Sequence, residues 1–499
     1  MKNSFKTLGF SALETRDKTS KFTLNILNPI THIFKILFKG FSKTGFMNER
    51  EKNKLFSTFN KGLYIDGNKL RLSQKESFNH LALISRTGGG KTTNYVIPNI
   101  LKLSSEQCSM LITDISGELY ELTSGYLEKQ GYKIYVLDPE NLEDSISYNP
   151  LYYASDTSKI DELVHTLIAS SKTSNNSSSS ENEFWDNGAK SLISIIIKLL
   201  LATKNHQYIN LANVRYLVNN YGSDGRDLDD LVNTLADDKT YHEFRAFVKG
   251  NPSTILSMVS TANIALSPIG INENLEKLTS SHTINFDNFR KEKSVLYIKI
   301  PANKQKQYSF LQNIFYSQFF NYMMEKLPSK SDLPIYCLLD EFGNLNLPNF
   351  DTTITTIRKY NISISIILQS IEQLQNRYGK ANANTILNGG IASKLFYSGA
   401  DHTTTETLSQ ILGDITSIKT GIDGNSFFKD GKVMNPTEIR TMADDEALFI
   451  MANKLPVKIK LKAYYKDFLL KNYSKMPKAK VHTKTHENHV EYIDLDYEV

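Results

Sequence analysis

Short apolar runs alternate with helical patterns along most of the chain from about residue 55 onward. Each run is rich in β-branched or aromatic side chains, and together they are His80–Ile84, Met110–Thr113, Ile134–Leu137, Val295–Ile300, Ile335–Leu339, Ile362–Leu368 and Lys394–Tyr397. Short strands separated by helices are typical of a mostly parallel sheet with helices on its faces. Near the end, Ala447–Met451 and Val457–Leu461 flank a short turn, which predicts a closing antiparallel pair. The pattern therefore predicts an α/β fold.

This alternation is interrupted in the middle of the chain. Residues 170–183 form a polar, low-complexity stretch, and the following residues to about 284 show an almost continuous helical pattern. We therefore expect an α/β domain in two parts, 55–174 and 285–470, around an inserted all-α domain at 175–284. A basic segment at 1–54 and a tail at 471–499 flank them.

The N-terminal segment contains a short amphipathic pattern at 29–41. Asn28 and Pro29 resemble a helix start, and apolar side chains then recur at helical spacing with Lys35 and Lys39 on the other side. Such a helix lies on an anionic membrane surface, docks on a membrane partner, or packs on the protein's own body. The sequence leaves these interpretations open.

Composition excludes several classes of protein. The 499 residues are 22% charged and 40% hydrophobic, values that argue against collagen-like, mostly disordered and disulfide-scaffold chains. Cys108 and Cys337 are far apart in apolar surroundings, so they are expected to be buried thiols of a reducing compartment. No segment has the pattern of a membrane-spanning helix or a secretory signal, which predicts a cytoplasmic location.

The net charge of +5 is unevenly distributed. Residues 1–61 hold twelve Lys or Arg and four Asp or Glu, a net of +8, so the remaining 438 residues sum to −3. The basic segment can contact either phosphates or anionic lipid. In the tail, 471–484 carries five lysines and no acids and 487–499 five acids and no Lys or Arg, which predicts a flexible, two-signed segment.

A glycine-rich loop directly follows the first predicted strand and opens a helix. It departs from the phosphate-loop pattern only at its first position, where Ser85 stands in place of glycine. Three consecutive glycines let the backbone approach phosphate, Lys91 reaches the β- and γ-phosphates, and the Thr92 hydroxyl holds Mg²⁺. The residues expected to bind the nucleotide are Ser85, Arg86, Thr87, Gly88, Gly89, Gly90, Lys91, Thr92 and Thr93.

Two acids end a later apolar strand. Asp340 is expected to bind Mg²⁺ or its water, and Glu341 to act as the general base that polarises the attacking water. Gln369 ends the next strand, where a neutral amide can sense the γ-phosphate. Arg358, between these strands, is either an arginine that acts on a neighbouring subunit's nucleotide or a surface residue. Asp114 ends another strand and is either close to the phosphate site or a helix cap.

Several motifs, taken together, resemble the type IV coupling proteins of bacterial conjugation and type IV secretion, the TraG/TraD family of motor ATPases. Beside the glycine-rich loop they are Thr113–Thr123, Tyr135–Asn141 with Tyr148–Pro150, Phe184–Lys190, Leu338–Gly343, Ile366–Leu374 and Gly399–Asp401 before Leu408–Gly413. They occur in the family's order and cover roughly residues 55–465.

This resemblance implies a RecA-like P-loop NTPase with an inserted all-α domain and ATP and Mg²⁺ as cofactors. It implies a homo-hexameric ring, or a ring that assembles on DNA, with nucleotide between subunits. Family roles carry over to Lys91 for phosphate, to Thr92 and Asp340 for metal, to Glu341 for catalysis and to Gln369 as sensor. Arg358 matches the trans-acting arginine by spacing.

The implied function is an ATP-hydrolysing motor. It would recruit a relaxase–DNA complex, with single-stranded DNA as the expected transfer intermediate, to the membrane-anchored proteins of a secretion channel. The alternative is an ATP-gated docking protein for a nucleoprotein or protein substrate, without processive pumping. Family members usually carry two N-terminal transmembrane helices, and none is predicted here. The helix at 29–41 is therefore a candidate docking element at the inner face of the cell membrane.

Overall fold

The computed structural model describes residues 45–171, 180–420, 426–481 and 490–496. The predicted amphipathic helix at 29–41 lies outside these residues. Gly413–Val433 belong to one compact unit, and Phe46–Leu412 with Met434–Val499 form a second.

The strands are β1 (Leu81–Ile84), β2 (Ser109–Asp114), β3 (Lys133–Leu137), β4 (Ser294–Lys299), β5 (Ile335–Leu339), β6 (Ile362–Leu368), β7 (Ser393–Tyr397), β8 (Asp414–Thr420), β9 (Ser426–Lys432), β10 (Glu446–Met451) and β11 (Val457–Lys460). Nine of the described strands form one sheet in the order β11-β10-β7-β1-β6-β5-β2-β4-β3. The strands β1 to β7 pair in parallel, and β10 and β11 pair antiparallel at one side. The predicted mostly parallel sheet and its closing antiparallel pair are confirmed.

The described α-helices are α1 (Glu49–Leu55), α2 (Gln74–Ser77), α3 (Ile97–Leu103), α4 (Glu118–Lys129), α5 (Thr157–Ser171), α6 (Ser180–Ala202), α7 (Leu211–Asn219), α8 (Asp229–Leu235), α9 (Asp238–Val248), α10 (Pro252–Ile271), α11 (Glu273–Ser280), α12 (Asn288–Lys291), α13 (Gln305–Met324), α14 (Phe350–Thr356), α15 (Ile371–Asn384), α16 (His402–Leu412), α17 (Pro436–Arg440) and α18 (Phe468–Tyr473). A π-helical turn, Thr92–Val96, precedes α3, and 3-10 turns include Ile357–Tyr360 and Tyr464–Lys466.

The strand order places three functional loops side by side. Strand β6 lies between β1 and β5, and all three run in the same direction. Their carboxyl ends therefore meet at one edge of the sheet, where ligands bind in folds of this kind. The glycine-rich loop, the Asp340-Glu341 pair and Gln369 follow these three ends.

The sheet core is mostly apolar. The central strands β1, β5 and β6 are buried along their whole length, as expected for strands covered on both faces. The Tyr95 hydroxyl lies 2.9 Å from the Ser365 hydroxyl in this core. Both cysteines are buried, and burial raises the pKa of the Cys108 thiol to about 12. They are inert thiols, as the sequence predicted.

Between β3 and β4 the described residues form helices and loops. Helix α10 contacts α5, α6 and α7. This helix is also long and apolar enough to cross a membrane by length and composition alone, and 33% of its apolar window is buried. The sequence pattern alone does not identify this helix as a candidate membrane span. Because α10 packs against three neighbouring helices, it has the contacts expected of a helix in a folded helical domain.

Strands β8 and β9 pair with each other as an antiparallel hairpin, with Asp414 opposite Lys432. The sequence analysis did not predict this hairpin.

The tail differs from the predicted flexible segment in the parts that the structure describes. Helix α18 and the residues after it, up to 481, pack against α4. There the buried Ala479 donates its N–H to Ser124 Oγ at 3.1 Å, and its carbonyl oxygen accepts a hydrogen bond from the Tyr120 hydroxyl at 2.6 Å. Further on, Ile493 is buried against α7, where its N–H donates to Asn213 Oδ1 at 2.9 Å. The tail is thus packed in two places on the body.

Candidate functional site at the carboxyl edge of the sheet

The glycine-rich loop has a conformation that glycine makes possible. Gly88 and Gly90 have φ of 73° and 82°, in the left-handed region that side chains rarely adopt. A Cβ added at Gly88 would meet nothing within 4 Å, so the loop has open space in front of it. The loop is fixed at its start, where the Ser85 N–H donates to the Leu368 carbonyl at 3.1 Å. The loop is therefore anchored at its start and open at Gly88.

The Lys91 amine is buried behind this loop. Its Nζ donates to the Ser85 carbonyl at 3.2 Å and lies 3.6 Å from Glu341 Oε1. The serine at the first loop position therefore contributes through its backbone, as a glycine there would. An ammonium buried beside a single carboxylate is well placed to exchange that partner for a phosphate oxygen.

Glu341 links the three strand ends. Its Oε2 accepts a hydrogen bond from Gln369 Nε2 at 3.0 Å, while Oε1 faces Lys91. Its backbone has φ 51° and ψ 38°, an uncommon conformation for a glutamate. Strained backbone of this kind is found preferentially at functional sites. The structure thus connects the predicted phosphate, base and sensor residues in one chain of contacts.

Asp340 lies beside this network. The Glu341 N–H donates to Asp340 Oδ1 at 3.0 Å. Burial, and after it the neighbouring Glu341 carboxylate, raise the pKa of Asp340 to about 6 although the Lys91 charge acts in the opposite direction. A carboxylate that is costly to ionise in this environment gains from a cation at the same place.

The loop, both acids and the following helix start line a cavity of about 640 Å³. All of the predicted nucleotide-binding residues from Arg86 to Thr93 line it, and Ser85 lies behind the loop. The cavity also has a side that the sequence motifs do not predict, formed by Asp444, Asp445, Leu461, Ala463, Tyr465 and Lys466. No local motif marks these residues, because they reach the cavity only through the sheet topology.

The two remaining sequence candidates lie at opposite edges of the sheet. Asp114 ends β2, beside β5, and is buried at the carboxyl edge. It accepts the Tyr120 N–H at 2.8 Å, so it caps α4 close to the phosphate site, which fits both of its predicted roles. Arg358 precedes β6, whereas Gln369 follows it, which places Arg358 at the amino edge of the sheet. Its guanidinium donates to Asn79 Oδ1 at 3.1 Å. Within one chain, Arg358 is therefore not part of the site at the carboxyl edge.

The profile of the protein family described as "Type IV secretory system Conjugative DNA transfer" matches residues 36–490. The chain belongs to this family. The match includes the sheet, the inserted helices and every site residue described above, and it confirms the resemblance to the type IV coupling proteins.

Curated relatives agree with this membership. The chain is 24% identical over 413 residues to the protein VirD4 of Rhizobium radiobacter, covering 79% of this chain and 58% of that protein. It is 20% identical over 400 residues to the conjugal transfer protein TraG of the same organism, covering 76% and 61%. The chain thus spans about three fifths of the length of these family relatives.

Solved structures share the fold. The bacterial conjugative coupling protein TrwBdeltaN70 superposes with a TM-score of 0.65 at 16% identity, over 84% of this chain and 92% of that one. The plasmid coupling protein TrwB in complex with ADP and Mg²⁺ superposes with a TM-score of 0.63, over 84% and 93%. The RecA-like α/β fold predicted for the family is confirmed.

Proposed function

We propose that the chain is an ATP-hydrolysing, Mg²⁺-dependent motor of conjugative transfer. It recruits a relaxase–DNA complex to a secretion channel and drives the movement of the DNA. The observation that supports this most directly is the contact chain from Lys91 through Glu341 to Gln369 beside the glycine-rich loop. A protein that only docks a substrate has no need of a carboxylate held between the phosphate-binding lysine and the sensor amide.

The residues at the cavity fit a nucleotide and its metal ion. The open space at Gly88 admits a phosphate, and the buried Lys91 amine supplies the positive charge to hold it. Asp340 and the Thr92 hydroxyl provide the oxygen ligands that Mg²⁺ prefers. When bound, Mg²⁺ neutralises negative charge on the phosphates.

The protein residues then have distinct tasks. Lys91 leaves its contact with Glu341 and binds phosphate, which frees the Glu341 carboxylate to accept a proton from the attacking water. Gln369, already bonded to Glu341, orients that carboxylate and reports whether the γ-phosphate is present. Arg358 acts on the nucleotide of the neighbouring subunit, because it cannot reach the site of its own chain.

The proposed setting is a homo-hexameric ring, or a ring that assembles from monomers on DNA, at the inner face of the cell membrane. Membrane-anchored channel proteins and the relaxase are the proposed partners. Relatives named as conjugal transfer and type IV secretion coupling proteins support this assignment.

The test is ATP turnover by purified protein with and without single-stranded and double-stranded DNA. We expect Mg²⁺-dependent hydrolysis that rises with DNA and is lost in Glu341→Gln. Glu372→Gln, which changes an exposed glutamate at the start of α15, is the matched control and should keep full turnover. Equal turnover in Glu341→Gln and wild type would contradict the site assignment. Strong hydrolysis without any response to DNA would favour the ATP-gated docking function instead.

A further inference from the structure

The cavity at the glycine-rich loop extends well beyond the phosphate cradle. On its far side it is lined by two acids, two aliphatic side chains, an aromatic ring and a lysine, namely Asp444, Asp445, Leu461, Ala463, Tyr465 and Lys466. Thr93 and Asn94, at the start of the helix after the loop, line the space between the two sides. The proposed function leaves the far side without a role.

The segment that carries Tyr465 is held firmly in place. The Leu461 N–H donates to the Asp445 carbonyl at 2.7 Å, and the Lys462 N–H to the Asp66 carbonyl at 2.9 Å. A Cβ added at Gly67 would lie 2.5 Å from the carbonyl oxygens of both Asn94 and Lys462. Three backbone segments therefore meet at this glycine, which fixes the 3-10 turn Tyr464–Lys466 against the start of the helix after the loop.

Tyr465 is an exposed aromatic side chain at a cavity wall. It is 51% exposed, whereas the adjacent Tyr464 packs against the hydrophobic core. Tyr464 meets the Tyr465 ring edge to face, with ring centroids 5.6 Å apart. Tyr465 thus has one supported side and an open surface that is available to a flat ligand.

Charge gives the cavity a direction. The glycine-rich loop offers backbone N–H groups and Lys91, which attract phosphate. The far side carries the carboxylates of Asp444 and Asp445 together with the ammonium of Lys466, and Asp444 Oδ1 lies 3.4 Å from Arg86 Nη2 of the loop. These mixed charges partly offset one another, and the carboxylates accept hydrogen bonds from hydroxyl or amino groups. A nucleotide therefore enters with its phosphates at the loop and its nucleoside toward Tyr465.

We propose that Tyr465 stacks on the base of the bound nucleotide and forms the base-binding part of the site. This inference rests on the proposed function, because it needs phosphates at the glycine-rich loop. Base–aromatic stacking is tolerant of base identity, since every base has a π-face. Tyr465 therefore contributes to affinity for adenine and guanine nucleotides alike.

The test separates the base from the phosphates. Binding of ADP, GDP and inorganic tripolyphosphate, each with Mg²⁺, is measured by calorimetry for the full chain and its variants. Loss of the stacked ring in Tyr465→Ala weakens ADP and GDP about tenfold, while tripolyphosphate binds as before. Tyr465→Phe keeps the ring and retains the affinity. Phe468→Ala removes a nearby aromatic that is 77% exposed and lies outside the cavity, and should change nothing.

Three results would overturn the proposal. If Tyr465→Ala binds ADP as the wild type does, the base does not stack there. If the variant loses tripolyphosphate as much as ADP, Tyr465 supports the loop and not the base. A wild type that binds none of the three probes would refute the proposed function itself, and the stacking with it. Lys91→Ala, which should lose all three probes, identifies the phosphate contribution independently.

Discussion

At the carboxyl edge of the sheet the Lys91 ammonium lies 3.6 Å from a Glu341 carboxylate oxygen, whereas at the amino edge the Arg358 guanidinium is bonded to the neutral side chain of Asn79. Lys394, near Arg358, donates to the Ile391 carbonyl at 3.2 Å. Arg358 and Lys394 line a cavity of about 450 Å³. In the part of the chain that the structure describes, neither of these two cations has a carboxylate at salt-bridge distance.

Under the proposed function, this difference separates a site that is complete within one chain from one that acts on a neighbouring subunit. Lys91 has an internal anion that a phosphate replaces, so the carboxyl edge is stable without ligand. Arg358 and Lys394 have no such anion, and burial lowers the pKa of Lys394. An anion supplied from outside the chain relieves this cost, which is consistent with the proposed action of Arg358 on a neighbouring subunit.

The largest expected effect is at the complete site. Lys91→Ala removes the phosphate-binding charge and leaves Glu341 unpaired, so we expect ATP turnover to fall by a factor on the order of 10³. Lys159→Ala, which breaks an ion pair with Glu325 on the helical part, should keep normal turnover. Steady-state phosphate release measures both. If Lys91→Ala keeps its ATP turnover, the carboxyl edge is not the site of hydrolysis and the comparison between the two edges fails.

The second effect is at the incomplete site. Arg358→Ala should reduce turnover about a hundredfold while nucleotide binding stays intact, because the arginine acts on charge in the transition state. Mixing Arg358→Ala with Glu341→Gln protein should restore part of the activity. Lys359→Ala, a change at the neighbouring exposed lysine, is the control. Loss of activity without any restoration would assign Arg358 a role within its own chain.

The smallest effect concerns pH at the amino edge. Burial, together with the positive charge of Arg358, lowers the pKa of His80 to about 3. The unfolded chain therefore binds a proton below about pH 6.5 that the folded chain does not, and folding stability falls by up to about 1.4 kcal/mol per pH unit as the pH decreases below that value.

His80→Asn tests this dependence. His80 has φ 62°, which asparagine tolerates, and its Nδ1 accepts the Ile364 N–H, which an asparagine oxygen can also do. Denaturant melts from pH 7.5 to pH 5 should show a flatter profile for the variant than for the wild type. If the stability of the wild type and of His80→Asn changes with pH in the same way, His80 titrates as it does in the unfolded chain and burial at the amino edge does not lower its pKa.

Contiguous features were predictable from the sequence. The strands are encoded by local runs of β-branched side chains, and the phosphate loop and the Asp340-Glu341 pair are each adjacent to one of them. The position of Gln369 followed in the same way, because the end of a parallel strand specifies the edge of the sheet. These inferences needed only neighbouring residues.

Features that depend on distant parts of the chain escaped prediction. Tyr465 reaches the cavity because β11 returns along the sheet, and nothing near it in sequence shows this. The hairpin β8–β9 mixes polar, charged and apolar residues and lacks clear alternation. The charge pattern of the tail indicates a flexible segment, whereas its partners Ser124 and Asn213 lie hundreds of residues away in the sequence. Its packing was invisible to composition alone.

The returning tail has a consequence for competition at the helical surface. Residues 490–493 are part of the same chain, and only a short connection separates them from residues already fixed on α4. A tethered peptide of this kind acts at an effective concentration in the millimolar range. Any other ligand for the surface around Asn213 and Tyr216 must therefore bind tightly enough to displace a segment that is covalently attached to the protein.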